Sequence, residues 1–325
     1  MSAEEAYRAK QEFLAASEAR LRRQLTTTER KLLTIIFERV IDRMDVSGSR
    51  VQNNVTNNEL LNSLGRIHKE FTRPANIKVA AQFARNVMEL PIRGGEYFGR
   101  ISEGQAAQIS SITDMTRELL RSKLGLTDSM GLKPGGFLQS VVEDTTVQNG
   151  LRAVIARSID NGGHFGSLRT NIRNYLVGTE DSQGAMTRQA EGMLFDTLME
   201  ADRASDLAFA DQLGLQGGVY VGGLIETTRR FCCELDTKAW TREEMQAMNE
   251  AARNGKKWSG YKGDVEIYCG GWNCRHGWRW VGNSALLRMR PDLEVIKGTK
   301  KLRPKVGVPP QPRNTGCAKV KKGRA

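Results

Sequence analysis

TRRFCC at residues 228–233 and GGWNCRHGWRWV at residues 270–281 are the two blocks of sequence that decide how this chain is organised. All five tryptophans, four of the five cysteines and one of the three histidines lie between Cys232 and Trp280. Large aromatic side chains and thiols are what a small unit needs when it must build a core from few residues. The two blocks therefore predict a compact C-terminal module whose chemistry differs from that of the preceding sequence.

Within the module, short patterns predict a mixture of strands and one helix. Val219–Val221 and 224–227 are β-favouring runs separated by Gly222-Gly223, which predicts a hairpin. Thr241 and Glu244 form a capping box, which predicts a helix reaching about Arg253. The alternation at 265–268 and at 278–281 predicts two further strands. The module, 216–287, is therefore expected to be α+β.

The preceding residues, 1–215, predict a helical body. Thr26 and Glu29 match a capping box, which predicts a break between two helices near 26–28. Pro91 is expected to close a later helix, and Gly94-Gly95 to form a turn. GLKPGG at 131–136 predicts another break. The predicted fold class is mainly α, with a helical body, the small α+β module and a basic, largely irregular tail at 288–325.

Charge separates the tail from everything before it. The formal net charge is +12, and 288–325 contains twelve Lys or Arg residues against two acids, which leaves only +2 for the remainder. The tail also has five prolines and no aromatic residue, so we expect it not to pack alone, and a chain ending near Met289 to keep its fold. No apolar run approaches the roughly 20 residues that span a bilayer. The start of the sequence lacks a secretory apolar region, and the odd cysteine count argues against a disulfide-stapled fold, so we expect a reducing cytoplasm and no membrane partner.

The two blocks resemble those of the phage Mu F-like head-morphogenesis (minor capsid) family of tailed bacteriophages. The resemblance rests on Thr228-Arg229 and Phe231-Cys232, a helix that begins beside Trp240-Thr241, and a second block that follows at a family-like separation. That second block contains Gly270, Gly271, Trp272, Asn273, Cys274, Arg275 and His276. The resemblance implies a structural virion protein that associates with the portal protein or the major capsid protein in the host cytoplasm, with no catalytic residues. We expect Phe231 and Cys232 to share a core with Trp272, Cys274 and His276.

Three other interpretations of the thiols stay open. Cys232, Cys269, Cys274 and His276 have the ligand types of a tetrahedral zinc site, but the C-x4-C-x-H spacing with a distant partner is unusual for structural zinc. Packing cysteines without a cofactor are therefore the preferred interpretation. Cys232 and Cys274 could instead form a disulfide in the mature virion. A thiolate beside His276 would also suit Cys-His catalysis, although no orienting acid stands out.

These alternatives define two functions that compete with head assembly. One is an enzyme acting where DNA enters, either a nuclease or a Cys-based hydrolase; the module's acids show no recognisable nuclease spacing. The other is a zinc-stabilised DNA-binding protein unrelated to phages.

The tail is expected to contact packaged double-stranded DNA. A flexible basic segment binds phosphates by releasing counterions, without sequence specificity. Solubility, or docking on an acidic portal or capsid surface, is the plainer explanation of the same charge. The candidate DNA-binding residues are Lys300, Lys301, Arg303, Lys305, Arg313, Lys319, Lys321, Lys322 and Arg324.

Overall fold

The computed structural model describes residues 1–102, 104–254, 263–299 and 301–309. The fold is mainly helical, with short strands in small sheets, as the sequence predicts. Among the described residues, no helix combines the length and the apolar character needed to cross a membrane.

The helices are α1 Ala3–Arg39, α2 Val55–Ile67, α3 Arg73–Ile101, α4 Ala106–Leu124, α5 Phe137–Glu143, α6 Thr146–Asp160, α7 Phe165–Val177, α8 Ala185–Ala190, α9 Asp196–Leu213, α10 Arg230–Leu235, α11 Arg242–Arg253, α12 Val265–Tyr268 and α13 Asn283–Met289. Short 3-10 and π-helical turns lie at Ile41–Arg43, His68–Thr72 and Glu191–Phe195. The strands are β1 Val46–Ser47, β2 Arg50–Val51, β3 Gly178–Thr179, β4 Ser182–Gln183, β5 Gly217–Val221, β6 Ala239–Thr241, β7 Gly277–Trp280, β8 Leu293–Val295 and β9 Leu302–Pro304.

The chain forms two compact units, and one of them is helical apart from two small hairpins. This unit comprises Ala15–Asn86 and Arg121–Phe195. Its hairpins pair β1 with β2 and β3 with β4. Glu29, on α1, accepts a hydrogen bond of 2.7 Å from the backbone N–H of Thr187 at the start of α8. That carboxylate satisfies one of the N–H groups that every helix start leaves unpaired.

The other unit combines Met1–Leu14, Val87–Leu120 and the described part of Asp196–Ala325. Its antiparallel sheet has the strand order β6-β5-β7, with Gly218 opposite Trp240 on one side and opposite Trp280 on the other. One apolar core joins this sheet to helices of the unit and includes the stacked rings of Phe98 and Phe209, and a second, smaller core packs Val219 of the sheet against Leu286. The division of the sequence into segments 1–215, 216–287 and 288–325 remains a prediction. The boundaries of the two compact units differ from it, because one unit draws residues from all three segments.

Two predicted helix breaks are wrong. α1 runs unbroken through 26–28, where the hydroxyls of Thr27 and Thr28 donate to carbonyls four residues earlier instead of capping a new helix. α3 likewise continues through Pro91. Its Gly94 and Gly95 form no turn: an added Cβ on Gly94 would approach the ring of Phe209 to 3.2 Å, so the glycines permit close helix packing.

Two predicted strands of the module are also wrong, whereas β7 and the capped helix α11 are confirmed. Residues 224–227 form no strand, so there is no hairpin across Gly222-Gly223. The two edges of β5 pair instead with β6 and β7. Residues 265–268 form the short helix α12, in which the backbone N–H of Val265 donates to Asn249 Oδ1 at 2.7 Å.

The first part of the predicted irregular tail is folded. We therefore no longer expect a chain ending near Met289 to keep its fold. β8 pairs with β9, and Leu293 and Leu302 are buried. Arg290 is fully buried and forms ion pairs with Glu244 at 2.8 Å and with Asp292 at 2.7 Å. Because Glu244 also closes the capping box of α11, this ion pair fixes the start of the tail to the module.

Candidate functional site

The two sequence blocks meet at a buried cluster of two thiols and an imidazole. Cys232 lies on α10, and Cys274 and His276 lie in the segment that leads into β7. The Sγ atoms of Cys232 and Cys274 are 3.7 Å apart, and Cys274 Sγ is 3.7 Å from His276 Nδ1. The expectation that Phe231 and Cys232 share a core with Cys274 is confirmed, and the buried His276 stacks on Tyr220 within it.

Trp272 is a correction, because it does not belong to this core. Its side chain is 64% exposed. Positive φ angles at Gly271 (82°) and Asn273 (55°) bend the backbone on either side of it. The bend returns Cys274 to the interior and leaves Trp272 on the surface. The backbone N–H of Asn273 donates to Asp196 Oδ1 at 2.8 Å, which holds the loop in this position.

Glycine at 270 is required by the thiols themselves. An added Cβ there would lie 2.4 Å from Cys232 Sγ and 2.9 Å from Cys274 Sγ, well inside van der Waals contact. The backbone N–H of Gly270 donates to Cys274 Sγ at 3.2 Å. Gly270 therefore both admits the sulfur atoms and supplies a hydrogen bond to one of them.

The remaining residues of the two blocks lie outside the cluster. The buried Thr228 accepts the N–H of Ile225 through Oγ1 at 2.7 Å. Arg229 precedes α10 and is exposed. Arg275 lies 3.6 Å from the carboxylate of Asp196, with which it forms an ion pair.

Arg203 and Tyr220 belong to the site but were not singled out from the sequence. Arg203, on α9, is 4% exposed and donates to the carbonyls of His276 at 2.9 Å, Ile267 at 3.1 Å and Cys274 at 2.6 Å. Tyr220 Oη lies 3.3 Å from Cys232 Sγ, and its ring stacks on His276 with centroids 5.4 Å apart. The only signal in the sequence was a single arginine on a helix whose other charged residues are all acidic.

The thiols differ strongly in acidity. A hydrogen bond from Cys232, with further support from His276 and Arg203, lowers the pKa of Cys274, whereas the same pairing and burial raise the pKa of Cys232. Burial raises the pKa of Cys269 to about 12. Within the cluster, the shared hydrogen bond, His276 and Arg203 therefore favour ionisation of Cys274 over that of Cys232.

This geometry bears on two of the sequence alternatives. The structure brings together three of the four zinc candidates, since the ligand atoms of Cys232, Cys274 and His276 all lie within 4.8 Å of one another and Cys269 is not part of that group. Cys232 and Cys274 are both free in this structure, and their sulfur atoms lie farther apart than an S–S bond of about 2.05 Å, so the disulfide considered for the mature virion stays a prediction.

Few of the candidate DNA-binding residues lie in the described range. Lys301 is exposed. Arg303 donates to Glu294 at 2.8 Å, and Lys305 Nζ donates to the carbonyl of Pro291 at 2.7 Å. Lys300, Arg313, Lys319, Lys321, Lys322 and Arg324 lie outside the described residues.

No protein-family model matches this chain, and neither the curated proteins nor the solved structures contain a match.

Proposed function

We propose that this chain is a structural protein of phage head assembly, a minor head protein of the virion that docks at the portal or inner capsid and contacts packaged DNA. The observation that carries the proposal is the meeting of the two blocks that resemble the Mu F-like family. Cys232 of the first block and Cys274 of the second lie 3.7 Å apart in one core, although 42 positions separate them.

The burial of the thiols supports a structural role for the module over a catalytic one. Cys232, Cys274 and His276 are all buried. A nucleophile must reach its substrate, whereas a packing or ligand residue need not. We therefore assign the module no enzymatic activity.

The exposed Trp272 supports docking by this part of the module. Burial of an exposed tryptophan against a partner removes a large apolar surface from water. Tryptophan is also enriched among the residues that dominate binding energy at interfaces. We assign the portal protein as the partner, since the resemblance implies that association.

The assembly role is tested in the phage or prophage that encodes this chain. Mass spectrometry of purified virions should detect the chain, and deletion of its gene should abolish infectious particles. Complementation with Trp272→Ala should restore them poorly. The matched variant Trp240→Phe, at a half-buried position, should restore them well. Virions that lack the chain and keep their full titre would refute the proposal.

DNA contact is tested separately through the last basic residues. Each phosphate contact contributes about 0.9 to the slope of log affinity against log salt. Replacing Arg313, Lys319, Lys321, Lys322 and Arg324 with glutamine should flatten that slope by up to about 4.5 and weaken binding at low salt. An unchanged slope, with portal binding lost instead, would assign the tail to protein docking.

A further inference from the structure

We propose that Cys232, Cys274 and His276 bind a structural zinc ion that joins the two sequence blocks. This inference does not depend on the proposed role in head assembly. It rests on the positions of three ligand atoms, on the weak bonding of His276 Nδ1 and on the donors that surround the cluster.

The distances fit tetrahedral zinc. With Zn–S bonds of about 2.3 Å and Zn–N bonds of about 2.0–2.1 Å, two thiolates on one ion lie about 3.7–3.8 Å apart, and a thiolate and an imidazole nitrogen about 3.6 Å apart. The observed Sγ–Sγ separation is 3.7 Å, and Cys274 Sγ lies 3.7 Å from His276 Nδ1. Two of the three separations therefore match those around tetrahedral zinc, and all three ligand atoms lie within 4.8 Å of one another.

A second observation points to a missing ligand. In the described part of the chain, Nε2 of the buried His276 has no hydrogen-bond partner. The contact of the same ring with Cys274, at 3.7 Å, is long. The nitrogen that faces the thiols is Nδ1, and among the described residues this long sulfur contact is all that satisfies it. Buried polar atoms are usually well bonded, so an ion bound at Nδ1 would replace a weak contact with a strong bond.

The surroundings are those that hold ligands in place. Arg203 fixes the carbonyls of both Cys274 and His276, and the N–H of Gly270 donates to Cys274 Sγ at 3.2 Å. Hydrogen bonds around a metal site orient its ligands and are needed for full affinity. Tyr220 covers one face of the imidazole and contacts Cys232 Sγ. Both ligand segments are therefore held before any ion binds.

The donor set suits zinc and disfavours hard cations. Two thiolates and one imidazole are soft ligands that suit zinc, and carboxylate-seeking ions such as magnesium and calcium do not bind such a set. We assign three protein ligands, because Cys269 lies outside the group of mutually close ligand atoms, and a water molecule would take the fourth tetrahedral position. The ion would link α10 to the segment before β7, and its binding free energy would then contribute to the folding of the module.

The experiment measures zinc in full-length protein that is expressed with added zinc and purified without chelators or a histidine tag. Elemental analysis should find about one zinc per chain. Cys232→Ser, Cys274→Ser and His276→Gln should each lose it. His164→Gln, which changes an exposed histidine, should retain it, and so should Cys269→Ser.

Two measurements on the wild type keep the test independent of variants that fail to fold. Cobalt(II) added to metal-free protein should give thiolate charge-transfer absorption and the intense visible bands of a tetrahedral site. A chelator should lower the melting temperature, and zinc should restore it. Protein without zinc and without the cobalt bands would overturn the site, and loss of zinc from Cys269→Ser would overturn the three-ligand assignment.

Discussion

Arg203 offers a sharp test of how the module is held together. Replacing it with methionine keeps most of the apolar stem but removes every donor. The carbonyls of His276, Ile267 and Cys274 would then lose their hydrogen bonds. Hydrogen bonds to charged groups contribute about 1.5–3 kcal/mol each, and a buried acceptor left unpaired costs about 1–3 kcal/mol. Since such losses are not additive, we expect Arg203→Met to lower the free energy of unfolding by about 3–5 kcal/mol.

Intrinsic fluorescence in urea is the suitable assay, because all five tryptophans lie between 240 and 280. With a urea m value of about 2–3 kcal/mol per molar, the midpoint should fall by roughly 1–2 M. The midpoint of Arg203→Lys should lie between those of the wild type and Arg203→Met, since a single ammonium cannot reproduce the planar fork of the guanidinium.

The matched control is Arg117→Met, on the exposed face of α4 in the same compact unit, which should change stability by less than about 0.5 kcal/mol. Circular dichroism should show that both variants remain folded without denaturant. If the midpoint of Arg203→Met equals that of Arg117→Met, the three carbonyls do not depend on this side chain and the reasoning fails.

Three further predictions use the same unit. Trp272→Ala should unfold like the wild type by circular dichroism, whereas Trp280→Ala, at a fully buried position, should lose about 3–5 kcal/mol; equal losses would contradict the surface position of Trp272. Gly270→Ala should destabilise the module through its clash with both thiols, and Gly277→Ala, whose added Cβ meets no atom within 4 Å, should be tolerated; a thermal melt that ranks them the other way would refute the clash. Burial raises the pKa of Asp206 to about 7 in the folded protein. Between the usual pKa of aspartate and about pH 7, the folded protein therefore holds a proton on Asp206 that the unfolded chain has released. Its contribution to stability should therefore decline as pH rises from about 4 to about 7, and urea titrations of Asp206→Asn should lack this part of the pH dependence.

A local sequence signal was reliable where its hydrogen bonds form between residues of the same turn. The capping box of Thr241 and Glu244 correctly placed the start of α11, because both of its hydrogen bonds form within one turn. The four alternating residues at 265–268 failed, because so short a run fits a helical turn as well as a strand. Pro91 failed as a helix end because the residues after it, such as Phe98, enter the core and keep α3 continuous.

The sequence predicted the site residues that lie within the two blocks but not those that tertiary packing brings to them. Composition identified Cys232, Cys274 and His276, and their proximity followed from the paired blocks. Arg203 is distant from both blocks in sequence, and its role appears only when α9 packs beside the segment that contains Cys274. The surface position of Trp272 depends on two left-handed backbone residues, for which the sequence of the loop offered only a glycine and an asparagine.

The central position of β5 has a consequence for how quickly the protein folds. One edge of the strand pairs with β6, which follows soon after it, but the other edge must wait for β7, much later in the chain. Pairings between distant segments form slowly, because the intervening chain must lose its entropy before any contact compensates for it. During synthesis, Gly217–Val221 therefore exposes an open backbone edge until Trp280 has been made. Overproduction at low temperature, which slows synthesis and weakens apolar association, should favour the native sheet over aggregation through that edge.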